Sequence, residues 1–562
     1  MTRSANTSPK YIYPFPSPPS PIPISTMSLN RSMSTESDHI PERKRSASIR
    51  DQLRGWHANR AGRSFVRCMF PSIRQPVGGE EPETKNPFKQ LAAVPPFAWL
   101  LFFSGWLAWT VDGYDFFCVS LTLDDLAEQF GVSPSSITTS ITLTLLFRSL
   151  GAVIIGLCAD RYGRKWTLVV NCLLIMVFEL GSGFVNTYKQ FLAVRSLFGI
   201  AMGGIWGTAA ATGLENVPPI ARGLCSGILQ QGYAVGYLLA AVINLTVVET
   251  SKYHWRSIYF FGAGFSLLAA IIRACLPESE QFIQARKEAK EKGISSKQAS
   301  KTFVRELGNM FRTNWVRWVW GVLLMTFFNF FSHGSQDLFP TYLKTTKGFS
   351  GKLASKATII SNCGAIVGGT LAGWCSQFLG RRFAILACCI WTACWIPLWI
   401  LPNSFGGLAA GGFFIQSGVQ GAWGIVPVYL GEISPPAFRA LFGGLTYQLG
   451  NMASAGSAQI EATAGKTLKL KGTSTPDYAA VMGILIGVVI GYGMIVVILG
   501  PESDGSHFEK ARVAIEQGVG QDAPEDLVET KRKQNARELD LDRKDSLQHV
   551  EKAEEPQHKE VV

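Results

Sequence analysis

Apolar runs of roughly 20 residues recur along most of this chain, and its charges are swept into the gaps between them. A helix rises about 1.5 Å per residue, so about 20 residues cross a hydrocarbon core about 30 Å thick. Twelve candidate helices start near residues 95, 137, 166, 190, 222, 255, 316, 354, 382, 405, 439 and 478. With 47% hydrophobic and only 17% charged residues so segregated, a string of soluble domains is excluded. An all-α polytopic membrane protein is expected. Its organisation reads as a cytoplasmic N-terminal tail (1–90), a first set of helices (91–276), a cytoplasmic linker (277–315), a second set (316–501) and a cytoplasmic C-terminal tail (502–562). The first apolar run follows some ninety polar residues, so the start does not read as a cleavable secretory signal.

Orientation follows from lysine and arginine. The loop Asp160-Arg161-Tyr162-Gly163-Arg164-Lys165, the pair Arg381-Arg382 and the lysine-rich linker fall on one side, expected to be cytoplasmic. The loop after the first helix holds Asp124, Asp125 and Glu128 and no base, which suits the outside. Lys466, Lys469 and Lys471 dissent, preceding the last helix on the expected outer side. Both termini are then inside. The net charge of +12 fits loops and tails rather than a nucleic-acid module. Most of the eleven cysteines, such as Cys158, Cys172 and Cys389, lie within spans and form no CxxC pair, so they read as packers and no metal or other cofactor is expected.

Sliding the sequence against itself by 217 positions aligns two halves. Gly156-x3-Asp160-x2-Gly163-Arg164-Lys165 falls on Gly373-x3-Gln377-x2-Gly380-Arg381-Arg382. Glu215-x2-Pro218-Pro219-x2-Arg222 falls on Glu432-x2-Pro435-Pro436-x2-Arg439, and Gly227 and Gln231 fall on Gly444 and Gln448. Two six-helix halves are expected. The first of these stretches resembles the loop signature of the major facilitator superfamily, and Arg195-x3-Gly199-x3-Gly203-Gly204 resembles its fourth-helix motif. The resemblance covers about residues 90 to 500 and implies that fold, with twelve transmembrane helices and cargo held between the halves near the midplane. Asp160, Arg164, Lys165, Arg195, Glu215, Arg222, Glu432 and Arg439 are the expected gate and packing residues. Gln377 stands where the pattern prefers aspartate, so the second charge lock is expected to be weaker.

One span departs from its apolar neighbours. Asn329, His333 and Asp337 lie at i, i+4 and i+8 with Ser332 and Gln336 beside them, one polar stripe on a helix about two turns long. Ionisable groups in hydrocarbon cost several kcal/mol unless they face a cavity and find partners, so they mark ion, proton or substrate paths. The alternative is hydrogen bonding between helices. The string from Asn329 through Ser332, His333, Ser335, Gln336 and Asp337 to Thr341 is similar to N-x-x-[ST]-H-x-[ST]-Q-D-x-x-x-T, the motif of the fungal lactate/pyruvate:proton symporters known as Jen-type monocarboxylate permeases. That resemblance implies proton-coupled import of lactate, pyruvate, acetate or propionate across the plasma membrane. His333 has the intrinsic pKa for such work, about 6.5. Asp337 either holds the imidazolium or takes the proton itself.

Arg148, inside the second helix, is the candidate to grip a carboxylate, since guanidinium binds it bidentately and keeps its charge. The alternative is a structural pair with Asp112 or Asp115 of the first helix, two acids that either pair or carry protons. Glu179 reads as a buried structural acid. Gln448 and Asn451, and the pair Gln230-Gln231, offer neutral donors for a hydroxyl or keto oxygen, or else hydrogen-bond helices together. Aromatic residues in the spans read as mostly lipid-facing or interfacial.

The first 88 residues, with thirteen Lys/Arg against seven Asp/Glu, are rich in Ser and Pro and read as largely disordered. The stretch from Arg50 to Met69 either forms a short basic amphipathic helix on the inner leaflet or is disordered too. Arg43-Lys44-Arg45-Ser46-Ala47-Ser48 suits a basophilic kinase, and residues 502–562 read as a solvated tail. Expected partners are a small carboxylate, a proton, the lipid membrane, and kinase and ubiquitin-dependent trafficking machinery acting on the tails. No nucleophile–base pair or phosphate loop points to an enzyme. The rival expectations are a carrier of dicarboxylates or sugar acids on the same scaffold, and a non-transporting carboxylate sensor.

Overall fold

The structure is a computed structural model. It describes residues 85–501 apart from 249, 280–281, 284–286, 288–295, 435–437, 471 and 474. The basic stretch from Arg50 to Met69, the Arg43–Ser48 string and the tail from 502 lie outside the described residues.

The first half contains α1 (Pro87–Ala92), α2 (Pro96–Leu121), α3 (Leu123–Phe130), α4 (Pro134–Tyr162), α5 (Arg164–Phe184), α6 (Tyr188–Gly203), α7 (Ile205–Leu214), α8 (Pro219–Ile243) and α9 (Arg256–Cys275). The linker forms α10 (Ser296–Thr313). The second half contains α11 (Trp315–Gln336), α12 (Phe339–Thr345), α13 (Gly351–Leu379), α14 (Arg381–Ile400), α15 (Phe405–Ile433), α16 (Arg439–Ser454), α17 (Ser457–Thr467) and α18 (Tyr478–Ile498). Local chemistry sets several starts: Ser133 Oγ accepts from Ser136 N before α4, and Thr187 and Gln190 form a reciprocal cap before α6.

Among the described residues, eight segments are long and apolar enough to cross a membrane: α4, α5, α6 with α7, α8 with its π-helical end, α9, α13, α14 and α18. The remaining expected spans start at α2, α11, α15 and α16, whose acids, amides, glycines or short length hold their hydropathy down. Those four helices carry much of the site described below, joined by Arg148 of α4 and by Gln230 and Tyr233 of α8.

The repeat is visible in the packing. In the first half α2 packs on α8, α4 on α6 and α5 on α9; in the second, α11 packs on α16, α13 on α15 and α14 on α18. The halves meet through α8 against α13 and α4 against α16. Gly163 and Gly380, 217 positions apart, both turn the chain at positive φ (106° and 85°), a conformation that favours glycine.

At one end of the bundle a cavity of about 570 Å³ lies between the halves, lined by residues such as Phe117, Thr142, Tyr237, Asp337, Thr341 and Ser454. At the other end the halves are joined. Asp160 Oδ2 accepts from the Leu441 amide of α16 at 3.0 Å, and Ser226 Oγ donates to Gly424 O (2.8 Å) and accepts from Val428 N (3.0 Å). The molecule is therefore open at the end bearing the acidic α2–α4 loop and shut at the end bearing the basic loops.

Candidate functional site

α11 delivers the polar stripe to the floor of the open cavity. The helix stops at Gln336, and Asp337 is its C-cap, with its amide on His333 O at 3.0 Å. A carboxylate at a helix C-terminus opposes the macrodipole and needs a compensating donor. His333 supplies one: its Nδ1 lies 3.0 Å from Asp337 Oδ2 and 3.3 Å from Oδ1. Its Nε2 lies 3.0 Å from Asn451 Oδ1 on α16, and Asn451 Nδ2 reaches Gln448 Oε1 at 3.3 Å. Both ring nitrogens are thus engaged, one by an acid at the cavity and one by a neutral amide behind it. Gln448 Nε2 continues across the halves to Gly203 O at 3.5 Å.

The stripe divides between two neighbours. Asn329 Nδ2 donates to Met325 O at 2.8 Å and turns, with His333, toward α16, where Tyr447 O is 3.4 Å away. Ser332, Ser335 and Gln336 turn toward α15: Gln420 Nε2 donates to Ser332 Oγ (3.3 Å), Gln416 Nε2 to Ser335 Oγ (3.0 Å), and Gln336 Nε2 to Gln416 Oε1 (2.8 Å). Ser335 is buried in that seam, whereas Thr341, on α12, lines the cavity. Gln416 and Gln420 were not singled out in the sequence, although their i, i+4 spacing in an apolar helix is the signal that marked the stripe.

Beneath the cavity floor the halves close around a space of only about 10 Å³ among Trp109, Tyr233, Gln230, Asn329, His333, Gln420, Trp423 and Tyr447. Here the expectation of mostly lipid-facing aromatics fails. Trp109, Trp206 and Trp423 are at most 3% exposed. Each has a partner for its indole N–H: Gln230 O, Gln230 Oε1 and Phe328 O respectively. An indole is interior-compatible once that one donor is satisfied. Trp109 also stacks on Tyr233 with centroids 4.9 Å apart.

Arg148 of α4 donates through Nη2 to Asp112 Oδ2 at 3.0 Å, both groups buried, and its guanidinium lies 5.7 Å from the Tyr447 ring centroid and 6.0 Å from that of Phe116. Asp115, three residues on, instead accepts from Ser266 Oγ at 3.1 Å. Arg195 pairs with Glu179 at 2.8 Å and donates to Asp115 O at 3.3 Å. Arg148 and Asp112 thus lie against the Tyr447 wall of the central space, and Asp115 with Glu179 and Arg195 lies farther into the first half.

At the shut end Arg164 bridges Asp160 (3.2 Å) and Glu215 (3.0 Å). Its counterpart Arg381 grips Glu432 bidentately at 2.8 and 3.1 Å, and Gln377 Nε2 donates to Gln90 Oε1 of α1 at 3.3 Å. Arg222 Nη2 donates to Val217 O at 3.1 Å, and Glu215 and Arg439 line one crevice of about 30 Å³. The Lys165 amide donates to Glu278 Oε2 at 3.0 Å while its ammonium lies over Trp166. Among the described residues no cluster of three or more His, Cys, Asp or Glu could hold a metal ion.

Comparison with known proteins bears on the family and the fold. The family model described as "Sugar (and other) transporter" matches residues 97–515. The "Carboxylic acid transporter protein homolog" of Saccharomyces cerevisiae is 33% identical over 435 residues, 75% of this chain and 71% of that protein. The "Cis,cis-muconate transport protein" of Acinetobacter baylyi is 26% identical over 371 residues, 65% of this chain and 86% of that protein. Among solved structures, the major facilitator superfamily proton:xylose symporter XylE superposes with a TM-score of 0.58 at 19% identity, covering 74% of this chain and 98% of that one. At that identity the likeness establishes the fold, which is the one that the loop signature implied.

Proposed function

The chain belongs to the sugar (and other) transporter family, and from that premise we propose that it imports short monocarboxylates such as lactate, pyruvate, acetate and propionate together with protons. It is a multi-pass membrane transporter of the major facilitator superfamily and not an enzyme. In this reading it works at the plasma membrane with both termini cytoplasmic, and the open cavity faces outward.

One observation carries the proposal: a histidine–carboxylate pair, His333 and Asp337, at the foot of a cavity of about 570 Å³ between the halves. A histidine titrates near neutral pH, so the pair changes charge over the range in which external acidification drives uptake. Arg148 supplies a permanent positive charge for the cargo carboxylate, at the cost of loosening its hold on Asp112. The amides of Gln336, Gln420 and Asn451 offer donors and acceptors for a hydroxyl or keto oxygen. Closure of the outer cavity and parting of the Asp160–Leu441 and Ser226–Val428 contacts would complete alternating access.

The name of the muconate relative favours a second reading, a dicarboxylate carrier. One assay decides between them: uptake of labelled lactate, pyruvate and succinate at two external pH values in carrier-deficient cells. Lactate or pyruvate uptake that saturates, rises on acidification and collapses with a protonophore is the expected result. Uptake indifferent to the proton gradient would overturn the symport, and better competition by succinate than by lactate would favour the second reading.

A further inference from the structure

Glu461 lies on α17, after the last residue of the eleventh expected span, and its side chain is fully buried. Neither carboxylate oxygen has a hydrogen-bond partner among the described residues. α17 packs against α11 and α18. On α11 the nearest feature is Gly334: a Cβ built there would stand 3.4 Å from Glu461 Oε1. Asp337 is three residues on, on the same face of the helix, and its charge is felt at Glu461. His333 and Asp337, the ionisable groups of the stripe, flank Gly334 on α11. At the start of α18 stand Asp477, whose Oδ1 caps that helix at Ala480 N, and Tyr478, whose ring lies against Gly465, one turn along α17 from Glu461.

A buried carboxylate ion with no donor, in the field of a second carboxylate, is strongly disfavoured, so Glu461 holds a proton. The charge count closes: imidazolium at His333, carboxylate at Asp337 and a neutral acid at Glu461 sum to zero. We propose that Glu461 is held protonated in this state and is a proton-binding residue of the coupling pathway. The inference rests on the proton-coupled reading above and extends it to a residue outside the stripe. Taking up a proton forms one O–H bond at Glu461, and releasing it breaks that bond with the electron pair left on the carboxylate. Gly334 leaves the space that the Glu461 carboxyl occupies beside α11.

The test separates coupling from binding. Glu461→Gln keeps the shape and cannot exchange a proton, and Glu461→Met keeps the volume without polar atoms. Each is expressed with wild type, surface protein is quantified, and two readouts are compared: lactate accumulation driven by an imposed pH gradient, and counterflow of labelled against unlabelled lactate, which needs no net proton movement. Expected for both variants is counterflow like wild type, with gradient-driven accumulation reduced to simple equilibration. Wild-type accumulation and pH profile in either variant would overturn the proposal. Loss of counterflow along with accumulation would also overturn it, making Glu461 a structural or binding residue. If neither variant reaches the surface, the same two measurements are made on purified protein in liposomes. A wild type without proton-driven lactate accumulation would instead refute the proposed function, an outcome visible before any variant is made.

Discussion

At and behind the central space, the first half contributes two arginines joined to acids: Arg148 with Asp112, and Arg195 with Glu179. Among the described residues the second half contributes no arginine there. It offers one histidine, two carboxyls and the amides of Gln416, Gln420, Gln448 and Asn451. Guanidinium does not lose its charge in proteins, whereas imidazole does so near neutral pH. Two halves that share a fold and a fixed repeat offset have therefore divided the electrostatics: permanent charge in one, switchable charge in the other. The loop signatures follow a related asymmetry, since Asp160 crosses to α16 of the opposite half with a carboxylate, whereas Gln377 crosses to α1 of the opposite half with a neutral amide.

The most severe way to challenge this division is at the pair. His333→Ala or Asp337→Ala alone is expected to lower uptake by a hundredfold or more, because removing one member of a buried ion pair costs about 3–5 kcal/mol. The double substitution should be little worse than either single one, with a flattened pH profile in any residual transport. Additive losses and an intact profile, in protein counted at the surface, would move the proton to Asp112 or Asp115 and break the comparison.

Arg148→Lys sharpens it from the other side. An ammonium keeps the charge but loses the planar fork, so the apparent affinity for lactate should fall about tenfold while the pH profile stays unchanged. A changed profile would show that the first half titrates too.

Asp160→Asn should slow turnover by about fivefold, since about 1 kcal/mol of charge-assisted contact to Arg164 and the α16 amide is lost from one conformation of the cycle only. Gln377→Asn should change it by less than Asp160→Asn does. Equal effects would mean that the two locks are equivalent after all.

The smallest expected effect is at Gln420→Leu. Replacing one neutral hydrogen-bonding group of about 1 kcal/mol should shift the preference between lactate and acetate by about threefold, without altering proton dependence. Competition curves for the two acids measure it directly.

Much of this was legible in the chain. Helices began within a few residues of the expected positions because an apolar run followed by a capping residue or a glycine is a local signal, as at Ser133 and Gly163. The stripe was legible for the same reason, since spacing of four residues on a helix is local. Its division between α15 and α16 was not, because that depends on which helices lie alongside α11. Gln416 and Gln420 carried a usable signal that the stronger motif overshadowed. The central tryptophans were misread because burial of an indole depends on finding one acceptor, which no sequence window records. Glu461 was missed for another reason. Its neighbourhood, with Lys466 and Lys469, reads as a loop, and only the placement of α17 against α11 makes it an interior acid.

The central space also bears on leakage. Its amides and the histidine bond to neighbouring side chains and carbonyls, leaving a space of about 10 Å³, room for about one water molecule. An unloaded carrier is thus solvated by its own side chains. A space that small is too short for a continuous column of water along which a proton could slip without cargo. Entering cargo must exchange these internal hydrogen bonds for its own, and the net gain per exchange is about 1 kcal/mol. Tightness at rest and moderate affinity in use then have one origin, and a substitution that enlarges this space should raise proton leak and cargo binding together.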